Sequence, residues 1–257
     1  RDKYNKGHRD NYLTKFAENC THNITIKNGS VVNTFLRIVD KIDSISHPAA
    51  EALKLISNFV DFQEPGDFTN TRLKSARLVR GFFQSNELVD KVWPRISDEF
   101  ARTIQLEHQE MLANRRIADL INNTPYQCLH IRRGDYLENS KTLGVLSEEY
   151  FKRNALKDMP TIITTDTFNS QGFLGDFSDL LLLNQDDVNP IQAISLMSYS
   201  SRLIMSNSTL SWWGSRLTLE NGGTVIAPFP WFFSAENNER NILTDLRFEL
   251  SESTFEL

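Results

Sequence analysis

The chain has 257 residues, enough for one large α/β domain or two small ones. With 40% hydrophobic and 24% charged residues, its composition is that of an ordinary globular protein. The formal net charge of −5 argues against a general nucleic-acid binder, because such proteins present a basic face. Cys20 and Cys128 are too few for a disulfide framework or a zinc site, and Cys128 lies in an apolar run that predicts burial.

The first part of the chain is weakly patterned. Residues 1 to 47 are mostly polar, with apolar residues close to helical spacing in 34–45, and 48–59 is predicted to be a helix. The chain begins with Arg1 in a polar stretch, so we expect an upstream segment to be missing from it. No apolar run reaches the roughly 18 residues of a membrane span, and no signal peptide is recognised.

A strand, helices and a linker follow. Residues 76–83 predict a strand that Gly81 and two aromatic residues end, and 87–93 predict a helix that stops at Pro94. Residues 96–121 hold one long helix or two, whose predicted core face is Phe100, Ile104, Met111, Leu112, Ile117 and Leu120. The linker pattern at 122–125 predicts a domain boundary that divides the chain into 1–124 and 125–257.

After this boundary the pattern alternates between strands and helices. The predicted strands are 126–131, 160–165, 180–183, 202–205 and 224–227, the last of them stopped by Pro228. The predicted helices between them are 143–156, with its start at Ser147, then 190–199 and 209–220. Strands separated by helices favour parallel pairing and a Rossmann-like domain.

A pair of arginines follows the first of these strands, in the stretch His130-Ile131-Arg132-Arg133-Gly134-Asp135-Tyr136. Open α/β sheets bind ligands at the carboxyl ends of their strands, and arginine binds phosphate through two parallel hydrogen bonds. Asp135 is placed to hold one guanidinium rigid so that the other faces the ligand. On an acidic protein this local positive charge predicts a small anionic ligand; the alternative is a surface cluster with no function.

A second candidate site lies at Ser206-Asn207-Ser208-Thr209, between a strand end and a helix start. A helix N-terminus offers unpaired N–H groups and partial positive charge, which suits a phosphate. The alternative is plain N-capping. Since both turns are predicted at the same sheet edge, we expect a pyrophosphate between them.

Four further features carry weaker predictions. Asp166, at a strand end, suits ribose hydroxyls or a guanine edge. Of Trp212 and Trp213, one is expected to pack into the sheet and the other to wall the cleft, while Arg216 is expected to face solvent or the nucleotide. The acidic pair at 186–187 lacks a third ligand at suitable spacing, so no metal is predicted, because the paired arginines can neutralise the phosphates.

Several enzyme classes lack their sequence signatures in this chain. A Gly-x-Ser-x-Gly elbow is absent, which leaves a serine hydrolase without support. The absence of a Walker loop and of Gly-x-Gly-x-x-Gly argues against a P-loop kinase and a nicotinamide enzyme.

These motifs resemble those of a known family. Residues 130–136, 206–213 and 225–228 with Trp231-Phe232 are similar to three successive motifs of the α-1,2-fucosyltransferases, and 81–85 to a fourth, weaker one. The first two motifs are specific, their order matches, and the resemblance spans about residues 78–233. Two places depart from the family: Thr165-Asp166-Thr167 stands for Ser-Asp-Asp, and Gly214 follows the tryptophan pair.

The resemblance implies a fold and an activity. The fold is α/β and GT-B-like, with an acceptor-side domain at 1–124 and a Rossmann-like GDP-sugar-binding domain at 125–257. The family's Gly-Gly-Leu-Gly-Asn-Gln turn is missing, so the first domain is expected to be truncated or divergent. The implied reaction moves L-fucose from GDP-fucose to the 2-hydroxyl of a galactoside, with inversion and without metal or cofactor. The alternatives are a non-catalytic nucleotide-sugar-binding domain and a transferase that uses another GDP-sugar.

The resemblance also implies residue roles. The catalytic residues are Arg132, Arg133 and Asp135, and the residues that bind GDP-fucose are His130, Asp166, Ser206, Asn207, Ser208, Thr209 and Ser211. Gln84 and Ser85 are expected to contact the acceptor. The general base is expected in the first domain or at Asp135. The expected location is the cytoplasm or the inner face of a membrane; the alternative is the Golgi lumen, with the anchor outside this sequence.

Overall fold

The computed structural model describes residues 59–62, 78–81, 86–121, 125–167, 177, 179–239 and 243–256. The chain divides into two compact units, Arg1–Trp93 and Pro94–Leu257. The predictions made for residues 1–58 and for Gln84 and Ser85 lie outside the described residues. The predicted boundary at residue 124, and the roles assigned to its two sides, remain predictions.

The first unit contains a small parallel sheet. Strand β1 (Phe59–Phe62) pairs with β2 (Leu78–Gly81), with Phe59 opposite Leu78. The strand predicted at 76–83 is therefore confirmed. The pattern predicts Phe59 as the last residue of a helix, which is wrong, because Phe59 begins β1.

Two helices follow, α1 (Asn86–Met111) and α2 (Arg115–Ile121). The prediction that the first helix stops at Pro94 is wrong, because α1 continues through that residue. A proline inside a helix removes one backbone hydrogen bond, and here the helix continues for 17 residues beyond it, to Met111. After residue 96 the two-helix alternative is confirmed, and the side-chain oxygen of Asn114 accepts a hydrogen bond from the Arg116 backbone N–H at the start of α2. Ile104, Met111 and Ile117 are buried as predicted.

The second unit is built on a six-stranded sheet. Its strands are β3 (Gln127–Ile131), β4 (Thr161–Thr165), β5 (Leu180–Leu183), β6 (Arg202–Ile204), β7 (Thr224–Phe229) and β8 (Glu249–Glu252). Their order is β5-β4-β3-β6-β7-β8, and every neighbouring pair is parallel. This is the strand order of the dinucleotide-binding Rossmann fold, so the prediction of a Rossmann-like parallel sheet agrees with the structure.

Helices cover both faces of this sheet. They are α3 (Glu148–Asn154), α4 (Pro190–Ser198) and α5 (Thr209–Glu220). A short helix, α6 (Ala235–Glu239), follows β7. Tyr150 and Phe151 of α3 pack on the face that carries Leu129 and Ile131. The alternation of side chains along β3 puts the intervening His130 on the opposite face, the side on which α4 and α5 lie.

Helices α4 and α5 approach each other closely at Gly214. A Cβ atom at this position would lie 2.8 Å from the Cβ of Met197, closer than two such atoms normally come. Gly214 is therefore a packing requirement of this helix pair. Arg216, two residues further along α5, is buried at 4% exposure, so the prediction that it faces solvent is wrong. The alternative, that it faces the nucleotide, stays a prediction.

The edge of the sheet formed by β7 and β8 differs from the prediction in two ways. Strand β7 runs through Pro228 to Phe229, whereas the pattern predicts an end at Pro228. The missing N–H of Pro228 is tolerated because β6 pairs with β7 only as far as Ile226, which leaves β8 as the neighbour there. Strand β8 is itself unpredicted, because Glu249–Glu252 is mostly polar and exposed, as an edge strand can be.

Within the described ranges, no helix has both the length and the apolar character that crossing a bilayer requires.

Candidate functional site

Strands β3 and β6 are neighbours at the point where the strand order reverses. The chain leaves β3 toward one end of the sheet and leaves β6 toward the other. A crevice forms at the carboxyl ends of such a strand pair, and ligands of open α/β sheets bind there. The arginine turn follows β3 directly and Ser206-Asn207-Ser208 follows β6, so both predicted turns lie at this crevice.

Two hydrogen bonds join these turns. The ring Nδ1 of His130 lies 2.9 Å from Oγ of Ser206. The hydroxyl of Tyr136 donates to the backbone carbonyl of Asn207 at 2.9 Å. The two segments are about 70 residues apart in sequence, and these bonds fix their relative position.

His130 is held in its neutral form. It is 4% exposed, and burial together with the nearby charge of Arg132 lowers its pKa to about 3. Burial is the larger of these two causes. A neutral buried imidazole bonded to Ser206 organises the crevice and is a poor general base.

Arg132 is paired with two carboxylates. Its Nη2 donates to Oδ1 of Asp135 at 2.6 Å, and its Nη1 lies 2.9 Å from Oδ2 of Asp166. The other oxygen of Asp166 accepts the backbone N–H of Arg133 at 2.9 Å. Asp166 therefore holds the arginine turn through both arginines, and its predicted contact with ribose or guanine stays a prediction. The expectation that Asp135 holds one guanidinium matches the geometry, and that guanidinium belongs to Arg132.

Arg133 forms an ion pair that the sequence analysis missed. Its Nη1 and Nη2 donate to Oε1 and Oε2 of Glu256, the second bond at 2.7 Å. The hydrogen bonds to Glu256 also raise the pKa of Arg133, so the guanidinium stays charged. No local pattern points to Glu256, because it lies 123 residues from its partner.

The start of α5 is a well-capped helix N-terminus. Oγ of Ser208 accepts the backbone N–H of Leu210 at 3.2 Å. The buried hydroxyl of Ser211 donates to the carbonyls of Ser206 and Ser208, at 2.9 Å each. Thr209 is half-buried, whereas the three residues before it are buried. The capping alternative therefore describes Ser208, and Ser211 supports the turn from inside.

Asn207 connects the helix start to the segment after the arginine turn. Its Nδ2 donates to the carbonyls of Leu143 at 2.8 Å and Gly144 at 3.1 Å. Its Oδ1 is buried and accepts no hydrogen bond within the part of the chain that the structure describes. A buried acceptor without a donor is unfavourable by about 1–3 kcal/mol, so this oxygen is a candidate partner for a ligand hydroxyl or N–H.

Tyr136 is part of the arginine motif, but the sequence analysis assigns it no role. Burial raises its pKa to about 12, so the hydroxyl remains protonated and donates to Asn207. The ring also lies under the guanidinium of Arg132, with Cζ 5.6 Å from the ring centroid. Tyr136 therefore supports both turns at once.

The tryptophan pair has a packing role. Trp212 is buried, its Nε1 donates to the carbonyl of Leu243 at 3.0 Å, and the guanidinium of Arg216 lies 5.4 Å from its ring centroid. Trp213 meets the ring of Phe100 edge to face at 5.7 Å. The burial of Trp212 agrees with the expectation that one of the pair packs into the protein, and the expectation that the other walls the cleft stays a prediction.

The acidic pair after β5 shapes a turn. Asp187 accepts the backbone N–H of Asn184 at 2.9 Å, and the backbone N–H of Asp186 donates to the side chain of Asn184. Among the residues with a described position, no group of three or more His, Cys, Asp or Glu side chains is placed to hold a metal ion.

The chain is similar to two curated proteins from Escherichia coli. It is 30% identical over 156 residues to an α-1,2-colitosyltransferase, an alignment that covers 52% of this chain and 54% of the relative. It is 30% identical over 138 residues to the O-antigen biosynthesis glycosyltransferase WbnK, covering 49% of this chain and 45% of the relative. The chain thus spans about half the length of the curated relatives it matches. No family model and no solved structure matches.

Proposed function

We propose that this chain is a glycosyltransferase that binds a nucleoside-diphosphate sugar at the β3–β6 crevice. The observation that carries the proposal is the junction of the arginine turn with the start of α5, made by the His130–Ser206 and Tyr136–Asn207 hydrogen bonds. Two guanidinium groups and a helix N-terminus then border the same crevice, and each of them favours phosphate. Similarity to two glycosyltransferases supports this class of activity.

The donor we propose is GDP-L-fucose, and the acceptor is the 2-hydroxyl of a galactoside. This rests on the resemblance of the arginine and helix-start motifs to the α-1,2-fucosyltransferases. The diphosphate would lie between the side chains of Arg132 and Arg133 and the half-buried Thr209 at the helix start. His130, Ser206 and Ser211 would shape this site from the protein interior, and Asn207 would offer its unpartnered Oδ1.

The proposed reaction is an in-line displacement. The acceptor oxygen bonds to C1 of fucose, and the bond from C1 to the β-phosphate oxygen breaks, so its electron pair leaves with GDP. Arg132 and Arg133 stabilise the charge that grows on the departing phosphate, and this interaction is stronger in the transition state than in the bound substrate. No metal ion is required in this proposal, because the guanidinium groups supply the positive charge.

The proton of the acceptor hydroxyl needs a carboxylate that solvent and acceptor can reach. Of the three carboxylates at the arginine turn, Asp135 has the most exposed side chain, at 57%, compared with 34% for Glu256 and 13% for Asp166. Only Oδ1 of Asp135 is bonded to Arg132. We therefore propose that Oδ2 of Asp135 accepts the proton.

The test is GDP release from GDP-fucose and lactose in the presence of EDTA. We expect release that depends on lactose and continues in the chelator, with a disaccharide product linked to the 2-hydroxyl. Asp135→Asn should reduce turnover while GDP still binds. GDP binding without release in the wild-type chain would instead support the non-catalytic alternative, and no binding of GDP would exclude both.

A second donor is favoured by one observation, the name of the α-1,2-colitosyltransferase among the relatives. Colitose is L-fucose without its 3-hydroxyl group. Competition between GDP-fucose and GDP-colitose separates the two candidates. A site that hydrogen-bonds the 3-hydroxyl rejects the deoxy sugar strongly, whereas a site that lacks this contact accepts both. A clear preference for GDP-colitose would replace the proposed donor and leave the reaction class unchanged.

A further inference from the structure

The ion pair between Arg133 and Glu256 involves the whole fork of the guanidinium. Both terminal nitrogens of Arg133 donate to the two carboxylate oxygens, an arrangement that fixes the plane of the guanidinium as well as its position. Both side chains are partly buried, with exposures of 23% and 34%. The pair therefore holds Arg133 more firmly than an ordinary surface ion pair would.

The backbone around Glu256 is held in place. Its N–H donates to the carbonyl of Val145 at 2.8 Å, and the carbonyl of Thr254 accepts the N–H of Ser147 at 2.8 Å. Between them, Phe255 pairs with Leu146 in an antiparallel bridge. These bonds attach residues 254–256 to the segment that leads into α3.

Aromatic packing holds the same segment from the other side. The Phe255 ring meets Phe233 edge to face at 5.7 Å. It also lies directly over Gly144, where an added Cβ would come within 2.5 Å of the ring. Gly144 has a φ of +81°, a conformation that suits glycine. A carboxylate on a segment held in this way is suited to orient its partner.

Donors remain on the guanidinium after this pairing. A guanidinium has five N–H groups, and Glu256 accepts from two of them. The side chain of Arg133 forms no other hydrogen bond within the described residues. The Nε edge is therefore available to a phosphate while Glu256 stays bound.

Arg132 is in a different position. Its guanidinium is paired with two carboxylates. Asp135 belongs to the arginine turn, and Asp166 also accepts the backbone N–H of Arg133 in that turn. Arg133 is held instead by Glu256, 123 residues away in the chain. Its orientation consequently depends on a distant part of the chain.

We propose that Glu256 is a positioning residue that aims Arg133 at the diphosphate of the donor. This inference rests on the proposed function. Glu256 touches neither the substrate nor the reacting atoms; it acts by holding the guanidinium in one plane. Positioning of this kind matters because a misplaced charge stabilises the transition state less, even when the substrate still binds.

The experiment compares Glu256→Gln with Glu256→Ala, and uses Glu252→Gln as the matched control. The control removes one negative charge from β8, where the exposed side chain of Glu252 makes no contact with Arg133. We expect Glu256→Ala to lower kcat on the order of 10–100-fold, with a smaller change in the KM for the donor. Glu256→Gln keeps the size of the side chain and one acceptor, so its kcat should lie between that of Glu256→Ala and that of the wild type. The control should match the wild type.

A double-mutant cycle tests whether Glu256 acts through Arg133. The turnover number kcat is measured for wild type, Glu256→Gln, Arg133→Lys and the double variant. Because Lys cannot form the bidentate pair, we expect Glu256→Gln to have little further effect once Arg133 is replaced. Additive losses would mean that the two residues act independently, and would overturn the proposal.

Other outcomes would also overturn the positioning role of Glu256. If Glu256→Ala binds GDP more tightly than the wild type, Glu256 competes with the ligand and the positioning role is wrong. If Glu256→Gln equals the wild type, or Glu252→Gln shows the same loss, the role is also wrong. A wild-type chain that neither binds GDP nor releases it from a donor would overturn the proposed function, and this inference with it. That failure is distinguishable because it appears in the wild type, before any substitution.

Discussion

The hydroxyl of Tyr136 donates a hydrogen bond to the backbone carbonyl of Asn207 across 2.9 Å. The donor belongs to the turn after β3, and the acceptor belongs to the turn after β6. Strands β3 and β6 are neighbours in the sheet, although β4, β5, α3 and α4 lie between them in sequence. This bond therefore links two anion-binding candidates that only the fold brings together.

Tyr136→Phe removes this link and leaves the rest of the ring in place. We expect a loss of about 1 kcal/mol in the free energy of unfolding, the usual contribution of such a hydrogen bond. We also expect roughly ten-fold lower kcat/KM, because the two turns can then shift relative to each other. Urea unfolding and GDP release measure the two effects. Tyr199→Phe is the control, since the Tyr199 side chain is 39% exposed and its ring contacts the ring of His108 rather than either turn. Equal losses in both variants would contradict the linking role.

Arg133→Lys keeps the positive charge but loses the planar fork. We expect turnover to fall on the order of 100-fold, corresponding to about 3 kcal/mol of barrier, because Lys cannot contact a carboxylate and a phosphate with fixed geometry. Stability should fall by about 1 kcal/mol or less, since the Arg133–Glu256 pair is partly exposed. Arg247→Lys, at an exposed ion pair with Asp245, is the control. Full activity of Arg133→Lys would refute the assigned role.

His130 should make stability depend on pH. Its folded-state pKa of about 3 lies below the ordinary value of 6.5, so between these values the unfolded chain binds one more proton than the folded chain. The contribution of His130 to the free energy of unfolding is complete above pH 6.5 and declines as the pH falls toward 3. We expect a loss of about 2 kcal/mol between pH 7 and pH 5 from this residue.

Urea unfolding of the wild type and of His130→Asn at pH 7 and pH 5 measures this contribution. Asn places a polar atom close to the position of Nδ1, so the contact with Ser206 can persist without a titrating group. The free energy of unfolding should differ less between pH 7 and pH 5 in the variant than in the wild type. An identical pH dependence in both proteins would mean that His130 titrates normally.

Gly214→Ala tests the contact between α4 and α5. Ala is better suited to a helix interior than Gly by about 1 kcal/mol, which by itself would stabilise the protein. The added Cβ would, however, meet Met197 at 2.8 Å, and overpacking of this kind typically destabilises by about 1–3 kcal/mol. We expect net destabilisation in urea unfolding. A stabilised variant would show that the two helices separate easily.

The local features of this protein follow from its sequence. The helix at 209–220 and the strand at 180–183 match the pattern residue for residue, because periodicity and capping are properties of neighbouring residues. The arginine turn and the Ser206–Thr209 segment are identified for the same reason: both follow apolar strands, and both carry groups suited to anions. Parallel pairing also follows, since helices separate the strands.

The tertiary structure decides which distant groups meet. No local pattern shows that β3 lies beside β6 or that Glu256 pairs with Arg133. The polar strand β8 gains its place by pairing with β7, a contact that its own composition does not predict. These relationships depend on strand order and on the packing of residues far apart in sequence, so they become visible only when the chain is folded.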